Sequence, residues 1–313
     1  MRVLIVGGTR FVGRHITEAV LAAGHEVAVL HRGATGAGLF PEATHLTADR
    51  DGDLGVLRGT RWDATIDVSA YRPEQVSALA GALGDGAGHY LFVSTVSVYD
   101  TPAHAGYPED SPLLTGTEGY GPRKVLCEQA ARAAFGPQTL VVRPTYVIGP
   151  YDHTGRFTYW VRRLARGGEV LAPGRPEVPI QLVDARDQAA FLVHGIVTGL
   201  AGTFHAVGEP MPFSAMLERI ASAVAPPGTK LTWADPQFLL DAGETGDTMP
   251  LWYAGDENEA LLNTADPSAV VAAGLVNRSI EETARDLADA EVPDRGYLTA
   301  EREEELLAAL SGR

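Results

Sequence analysis

The 313-residue sequence contains a single cysteine, Cys127. One cysteine excludes an intramolecular disulfide framework and cysteine-rich metal sites, and it suits a reducing compartment. We expect Cys127 to be a small packed core residue rather than a nucleophile. The nine histidines are scattered, and the sequence has neither a His-Glu-x-x-His nor a Gly-x-Ser-x-Gly motif. It therefore offers no support for a zinc or serine hydrolase, and we expect no metal site.

Positive charge and long apolar runs are also scarce. The chain has 25 lysine and arginine residues against 40 aspartate and glutamate residues, a formal net charge of −15. This balance disfavours binding to nucleic acid or to an anionic membrane surface. No apolar run is long enough to cross a bilayer, and the first predicted strand starts too early to leave room for a signal peptide. We therefore expect a cytoplasmic protein whose ligand is a small molecule.

Strand and helix patterns alternate through the first half of the chain, and 45% of all residues are hydrophobic. Such alternation predicts an α/β fold, a doubly wound Rossmann-type parallel sheet with helices on both faces and a smaller interleaved C-terminal substrate-binding lobe. The predicted strands lie at 3–6, 25–30, 44–48, 64–68, 90–93 and 139–142, and the helices between them include 11–23 and 73–83.

The pattern changes after Pro150, where long connections rich in proline and glycine begin. We predict an NAD(P)-binding domain over 1–150, with returning segments near 180–208, and a substrate-binding lobe over 151–180 and 209–313. The stretch 235–258 is either a loop-rich flap or a solvated connection, two alternatives that the sequence leaves open. Further helices are predicted at 157–166, 185–197 and 301–310, with a strand at 203–207.

A glycine-rich turn joins the first buried strand to the first helix. Glycines let the backbone approach a bulky ligand, and the free amides at a helix N-terminus favour a pyrophosphate. A simple tight turn would also explain the glycines. The candidate contacts with a dinucleotide are Gly7, Gly8, Thr9, Arg10, Phe11, Val12 and Gly13.

The end of the second strand bears on the choice of cofactor. Sheets that bind NAD usually carry an acidic residue there, which binds the adenosine ribose, whereas this chain has His31 and Arg32. Arg32, together with Arg10 in the glycine turn, can pair with the 2′-phosphate of NADP. We therefore favour NADP, with NAD as the second choice; the alternative is that both arginines are ordinary surface residues.

Two further stretches carry groups suited to proton transfer. Residues 92–99 are predicted as a strand that ends in hydroxyls, including Thr95, and Tyr120 and Lys124 lie four residues apart at the start of a helix. That spacing puts both side chains on one helical face, where the ammonium group favours the phenolate. Taken alone, a Tyr-x-x-x-Lys pattern is more often a pair of ordinary surface residues than a catalytic pair.

Together these stretches resemble the extended branch of the short-chain dehydrogenase/reductase superfamily, the NAD-dependent epimerase/dehydratase family. The resemblance also includes the stretches 143–150 and 181–187. It implies that Tyr120 is the general acid/base, that Lys124 holds the nicotinamide ribose and that Thr95 binds the reacting oxygen. Arg32 and Asp49 join the candidate cofactor contacts, and a homodimer is a possible assembly.

Two positions depart from the family pattern. Arg10 replaces the middle glycine of the turn. The resulting Gly-Gly-Thr-Arg-Phe sequence is similar to that of an atypical subgroup of the superfamily, which includes reductases and RNA-associated proteins. The apolar Val178-Pro179-Ile180 stands where nucleotide-sugar epimerases commonly carry an arginine, and this weakens the nucleotide-sugar interpretation.

The sequence therefore predicts an NAD(P)-dependent oxidoreductase that reduces or epimerises a carbonyl or secondary alcohol of a small polar substrate. One alternative is a catalytically silent nucleotide-binding protein that acts through a partner. The other is a nucleotide-sugar epimerase or dehydratase.

Overall fold

The first strand, β1 (Arg2–Val6), is buried on both faces in the computed structural model, which describes residues 1–36, 38–255 and 258–312. Val3 and Ile5 belong to one hydrophobic cluster, and Leu4 and Val6 belong to another. Successive side chains of a strand point to opposite faces of a sheet, so a helical layer must cover each face. A continuous apolar run is typical of such a doubly covered parallel strand.

Seven parallel strands form the main sheet, in the order β11 (Gly202–Phe204), β6 (Leu140–Val142), β5 (His89–Val93), β4 (Ala64–Asp67), β1, β2 (Glu26–His31) and β3 (Thr44–Thr47). The chain builds outward from β1 through β2 to β3, then crosses back to start β4 on the other side of β1. In such a sheet, ligands bind beyond the carboxyl ends of the strands at this switch point. The predicted doubly wound fold is confirmed.

Two pairs of helices cover the sheet. On one face α1 (Phe11–Ala22) packs against α5 (Ala185–Thr198), and on the other α2 (Pro73–Leu83) packs against α3 (Tyr120–Phe135). Cys127 on α3 is fully buried in the second cluster, and burial raises its thiol pKa to about 11. The prediction of a packed core cysteine is confirmed.

The chain divides into two compact units. Unit 1 comprises Met1–Val147, Val183–Gly208 and Ala265–Asn277, and it contains the seven-stranded sheet, its four helices and α8 (Ser268–Ala272). Unit 2 comprises Ile148–Leu182, Glu209–Thr264 and Arg278–Arg313. The role of unit 2 as a substrate-binding lobe remains a prediction.

Unit 2 is built from helices and short strand pairs. The strand β8 (Glu169–Pro173) pairs in parallel with β13 (Lys230–Ala234), and β9 (Pro179–Ile180) pairs antiparallel with β12 (Met211–Pro212). Trp160 is fully buried and its indole N–H donates to the Pro250 carbonyl at 2.7 Å. The helices of this unit are α4 (Arg156–Ala165), α6 (Phe213–Val224), α7 (Pro236–Asp241), α9 (Ile280–Asp286) and α10 (Ala300–Ser311). Two further strands, β7 (Tyr146–Ile148) and β10 (Leu182–Asp184), lie where the chain passes between the units.

One predicted element is wrong. The strand expected over 92–99 ends at Val93, and residues Val96–Val98 form a 3₁₀ turn. The Thr95 hydroxyl accepts a hydrogen bond from the Ser97 amide at 3.1 Å, and this cap turns the chain away from the sheet.

The stretch 235–258 was expected to be either a loop-rich flap or a solvated connection. The stretch contains α7, although its residues Asp256 and Glu257 lie outside the described part of the chain. Among the described helices, none combines the length and the apolarity that crossing a bilayer requires.

Candidate active site

The glycine turn after β1 depends on a very close approach between two of its residues. Gly7 has φ +91°, a conformation that favours glycine. A Cβ added at Gly13 would stand 2.0 Å from the Gly7 carbonyl oxygen, so α1 can begin this close to the turn only with glycine there. In the same turn, Gly8 and Phe11 are buried, Val12 is partly buried, and Thr9 Oγ1 lies 3.4 Å from Thr35 Oγ1.

The N-terminus of α1 is electrostatically open to an anion. Arg10 is its N-cap residue and makes no side-chain capping bond, and the first turn contains no acidic residue. The helix dipole therefore favours a negatively charged ligand at this end of α1. These features fit the pyrophosphate of a dinucleotide.

Arg10 and Arg32 are both exposed at this end of the sheet. Within residues 1–36, 38–255 and 258–312, neither guanidinium group makes a hydrogen bond or an ion pair. Asp49, also exposed, accepts a hydrogen bond from the Asp51 amide at 3.0 Å. The two arginines are therefore available cations, whereas one oxygen of Asp49 is already engaged in a turn.

His31, at the end of β2, is held in a short histidine relay. Its Nδ1 accepts from the Gly33 amide at 2.9 Å, so its Nε2 carries the proton that bonds His45 Nδ1, also at 2.9 Å. His45 Nε2 then donates to the Phe40 carbonyl at 3.2 Å. Burial, followed by the nearby His45, lowers the pKa of His31. A neutral, buried His31 leaves Arg32 as the charged residue of this turn.

Lys124 lies almost wholly inside unit 1, with 2% of its surface exposed. Its Nζ donates to the Val93 carbonyl at 2.8 Å and to the Ala70 carbonyl at 3.0 Å, and it sits 4.1 Å from the centroid of the Phe92 ring. Burial lowers the pKa of the ammonium group to about 8. Because an ammonium group has three N–H bonds, one remains for a ligand.

Tyr120 is the first residue of α3, one helical turn before Lys124. Its side chain is exposed, at 51%, and its ring lies 6.3 Å from the ring of Tyr71. Thr95 is nearly buried and its Oγ1 also donates to Ser97 Oγ at 3.1 Å.

These predicted residues meet at one edge of the sheet. Lys124 Nζ binds the last residue of β5, two positions before Thr95, and also a carbonyl just after β4. The glycine turn follows β1, which is the neighbour of β4. The carboxyl ends of β1, β4 and β5 therefore bring together the turn, the ammonium group and the threonine.

The sequence model of the NAD-dependent epimerase/dehydratase family matches residues 3–87 and 74–203, well over half of the chain. The chain belongs to this family. It is an NAD(P)-dependent oxidoreductase or epimerase of the short-chain dehydrogenase/reductase type.

The individual relatives of this chain have low sequence identity to it. A 2′-dehydrokanamycin reductase from Streptomyces kanamyceticus is 26% identical over 309 residues, covering 88% of this chain and 84% of the relative. A UDP-glucose 4-epimerase from Azospirillum brasilense is 29% identical over 187 residues, covering 50% of this chain and 53% of the relative. The solved structure of human epimerase family protein SDR39U1 with NADPH has a TM-score of 0.64 at 20% identity, covering 93% of this chain and all of that one.

Sequence reasoning missed a buried polar network behind the site of this family member. The guanidinium group of Arg143 donates to both carboxylate oxygens of Glu128, at 3.0 and 2.6 Å, and to the Tyr99 hydroxyl at 2.5 Å. Ser94 donates to the same carboxylate at 2.5 Å, and His205 Nε2 lies 2.6 Å from the Tyr99 hydroxyl. Glu128 follows Lys124 by four residues, so the helical spacing of Tyr120, Lys124 and Glu128 was an available signal.

A second missed ion pair lies under the end of β4. Arg50 donates to both oxygens of the fully buried Asp67, at 2.7 and 2.9 Å, and the Tyr90 hydroxyl donates to the same carboxylate at 2.9 Å. Although burial opposes it, the Arg50 charge and these hydrogen bonds hold the pKa of Asp67 below its usual value. The pair fixes the strand end that also supplies the Ala70 carbonyl to Lys124.

Proposed function

We propose that this protein is an NADP-preferring oxidoreductase that transfers a hydride to or from the carbonyl or secondary-alcohol carbon of a small polar substrate. The observation that carries the proposal is Lys124. Its buried ammonium group is held by two carbonyls near strand ends and lies one helical turn from the exposed phenol of Tyr120. The packing of unit 1 does not require this phenol, but the pair of groups suits proton transfer.

Each of the three polar side chains has a role. Lys124 keeps its third N–H for a ribose hydroxyl, and its charge favours the phenolate of Tyr120. Tyr120 gives a proton to the substrate oxygen or takes one from it. Thr95 turns its hydroxyl proton from Ser97 towards the same oxygen. The nicotinamide ring, when bound, supplies or accepts the hydride.

The preference for NADP rests on Arg10 and Arg32. Both guanidinium groups are exposed, uncommitted among the described residues and located beside the two turns that flank the adenosine ribose in this fold. A 2′-phosphate would gain charge-assisted hydrogen bonds from them, and NAD would not. The neutral His31 at the end of β2 provides no carboxylate for the NAD ribose.

Net reduction is the favoured outcome over epimerisation. The 2′-dehydrokanamycin reductase aligns with 88% of the chain, whereas the UDP-glucose 4-epimerase from Azospirillum brasilense aligns with 50%. In addition, the apolar segment Val178-Pro179-Ile180 lacks the arginine that would pair with a nucleotide-sugar diphosphate. A nucleotide-sugar epimerase therefore remains the second candidate.

Nicotinamide fluorescence titrations with NADPH and NADH test the cofactor assignment. We expect NADPH to bind at least tenfold more tightly, and Arg32→Gln to remove most of that difference. Equal affinities in the unmodified protein would contradict the assignment. Protein purified with tightly bound oxidised cofactor would favour the epimerase, whereas freely exchanging NADPH would favour the reductase.

NADPH oxidation with a panel of small polar ketones tests the chemistry. We expect Tyr120→Phe to lower turnover about a thousandfold, the usual scale for loss of a general acid, with NADPH affinity unchanged. Tyr71→Phe, which removes a hydroxyl from the adjacent exposed ring, is the matched control and should keep its activity. Full activity of Tyr120→Phe would remove the phenol from the mechanism.

A further inference from the structure

Unit 2 contains a cavity of about 280 Å³ whose lining includes four arginine residues. Arg162, Arg163 and Arg166 come from the C-terminal end of α4, and Arg295 comes from the opposite wall at 292–300. Among the described lining residues, Asp294 is the single acid. This concentration of positive charge stands out in a chain whose net charge is −15.

The wall opposite α4 is fixed by hydrogen bonds within the unit. The Tyr297 hydroxyl donates to the Thr154 carbonyl at 2.6 Å, and the Leu298 amide donates to the Thr248 carbonyl at 2.9 Å. The ring of Tyr297 also packs edge-on against Tyr159, with centroids 5.4 Å apart. The cavity is therefore built before any ligand arrives.

One of the four arginines is structural. Arg163 is 7% exposed and donates to Glu303, to the Gly167 carbonyl and to the Glu169 carbonyl. Glu303 is itself buried and also accepts from the Leu171 amide at 2.9 Å. This ion pair is complete, so the Arg163 guanidinium group is already engaged.

The guanidinium groups of the other three arginines are only partly engaged. Arg166 lies 3.7 Å from Glu303, which Arg163 already occupies. Arg162 donates to the Ala288 carbonyl and lies 3.8 Å from Asp289, a fully exposed side chain that water screens.

Arg295 donates only to the His153 carbonyl, at 2.9 and 3.2 Å, among the described residues. Each of these three guanidinium groups therefore retains N–H donors. The nearby carboxylates Asp289, Asp294 and Glu301 are exposed, so water screens their charge.

We infer that this cavity binds a phosphoryl anion, either free or carried by a small organic molecule. Guanidinium groups match the paired oxygens of phosphate, and three of them around one space suit a doubly charged tetrahedral group better than a monocarboxylate. The volume exceeds that of a phosphate ion and leaves room for an attached organic part. The inference does not depend on the redox chemistry proposed for unit 1.

Isothermal titration calorimetry at low ionic strength with inorganic phosphate, glycerol phosphate and acetate is the test. We expect both phosphates to bind and acetate to bind at least tenfold more weakly. Tighter binding of glycerol phosphate would assign the ligand as an organic phosphate, and equal binding would assign it as the free anion. No heat from either phosphate up to about 10 mM would overturn the inference.

Matched variants locate the site. Arg166→Gln and Arg295→Gln each remove one exposed guanidinium group from the cavity and should weaken phosphate binding about tenfold. Arg175→Gln makes the same charge change at a residue outside the lining and should have no effect. Arg10→Gln reports on phosphate at the glycine turn. Equal losses in Arg175→Gln, or losses confined to Arg10→Gln, would refute the cavity site.

Discussion

Lys124 is exceptional among the basic residues of this chain. The sequence has 25 lysine and arginine residues but only two lysines, Lys124 and Lys230, and Lys124 is the buried one. A compact ammonium group can be enclosed by two carbonyls and still change its protonation state near neutral pH, which a guanidinium group cannot do. At this buried position a lysine can therefore exchange a proton near neutral pH, whereas an arginine would stay charged.

The shifted pKa of Lys124 predicts a pH dependence of stability. Its value in the folded protein, about 8, lies below the reference value of 10.5, so between these values the unfolded chain binds more protons. The free energy of unfolding should therefore rise with pH, by about 1 kcal/mol between pH 7 and pH 9. Urea unfolding of the cofactor-free protein at several pH values measures this rise.

Lys124→Met should lose that rise, and Lys230→Met, which changes an exposed lysine, should keep it. The measured pH range should end at pH 9, because the Cys127 thiol has the opposite effect on stability above that value. Its pKa is raised from 9 to about 11, so the thiol ionises first in the unfolded chain and stability falls. An unchanged slope in Lys124→Met would show that the ammonium group is not the origin.

The turn between β1 and α1 predicts a sharp contrast between two Gly→Ala substitutions. Gly13→Ala places a methyl group 2.0 Å from the Gly7 carbonyl oxygen, so α1 must move away from the turn. We expect a loss of about 3 kcal/mol in stability and at least a hundredfold loss of cofactor affinity. Thermal unfolding and fluorescence titration measure the two effects.

Gly81→Ala is the control, because Gly81 lies within α2 and a Cβ there meets no atom within 4 Å. Alanine is the better helix former, so this variant should gain about 0.5–1 kcal/mol. Similar behaviour of the two variants would contradict the close-approach explanation for Gly13.

The elements that the sequence predicted well share a local signal. The run Val3–Val6 and the alanine-rich stretch Pro73–Leu83 are bounded by glycine or proline, and both were placed nearly residue for residue. The helix Phe213–Val224 was missed although its buried residues recur at helical spacing. The strand Lys230–Ala234 was missed because its partner, Glu169–Pro173, lies some sixty residues away and leaves no mark on the local pattern.

The candidate site divides in the same way. The glycine turn and the Tyr120–Lys124 pair are local patterns, and the sequence supplied them. The network that joins Glu128, Arg143 and His205 draws on distant parts of the chain, so only folding brings it together. The 3₁₀ turn at Val96–Val98 was hidden because a threonine that continues a strand and one that caps a turn look alike in sequence.

For the molecule as a whole, a net charge of −15 opposes the approach of an anionic cofactor, whereas the contacts proposed for Arg10 and Arg32 would attract it locally. Contacts within a few ångströms outweigh distant charges, and salt screens both. We therefore expect NADPH affinity to fall about fivefold between 20 and 300 mM NaCl, and NADH affinity to change less. Fluorescence titration at several salt concentrations measures both slopes.

The double variant Arg10→Gln, Arg32→Gln should reverse the salt dependence of NADPH binding. With the local attraction removed, long-range repulsion remains, and salt then strengthens binding slightly. A slope unchanged from that of the unmodified protein would show that other cations hold the 2′-phosphate.

The path of the chain between the two units restricts how the protein can be divided. A fragment ending near residue 147 would keep six strands but lose β11, leaving the edge of β6 unpaired, and it would lose α5, which covers α1. An unpaired strand edge and a bare apolar helix face both promote aggregation. Unit 1 therefore cannot be removed as one continuous piece of chain: recombination or engineering can exchange it only by cutting the gene at five places at once.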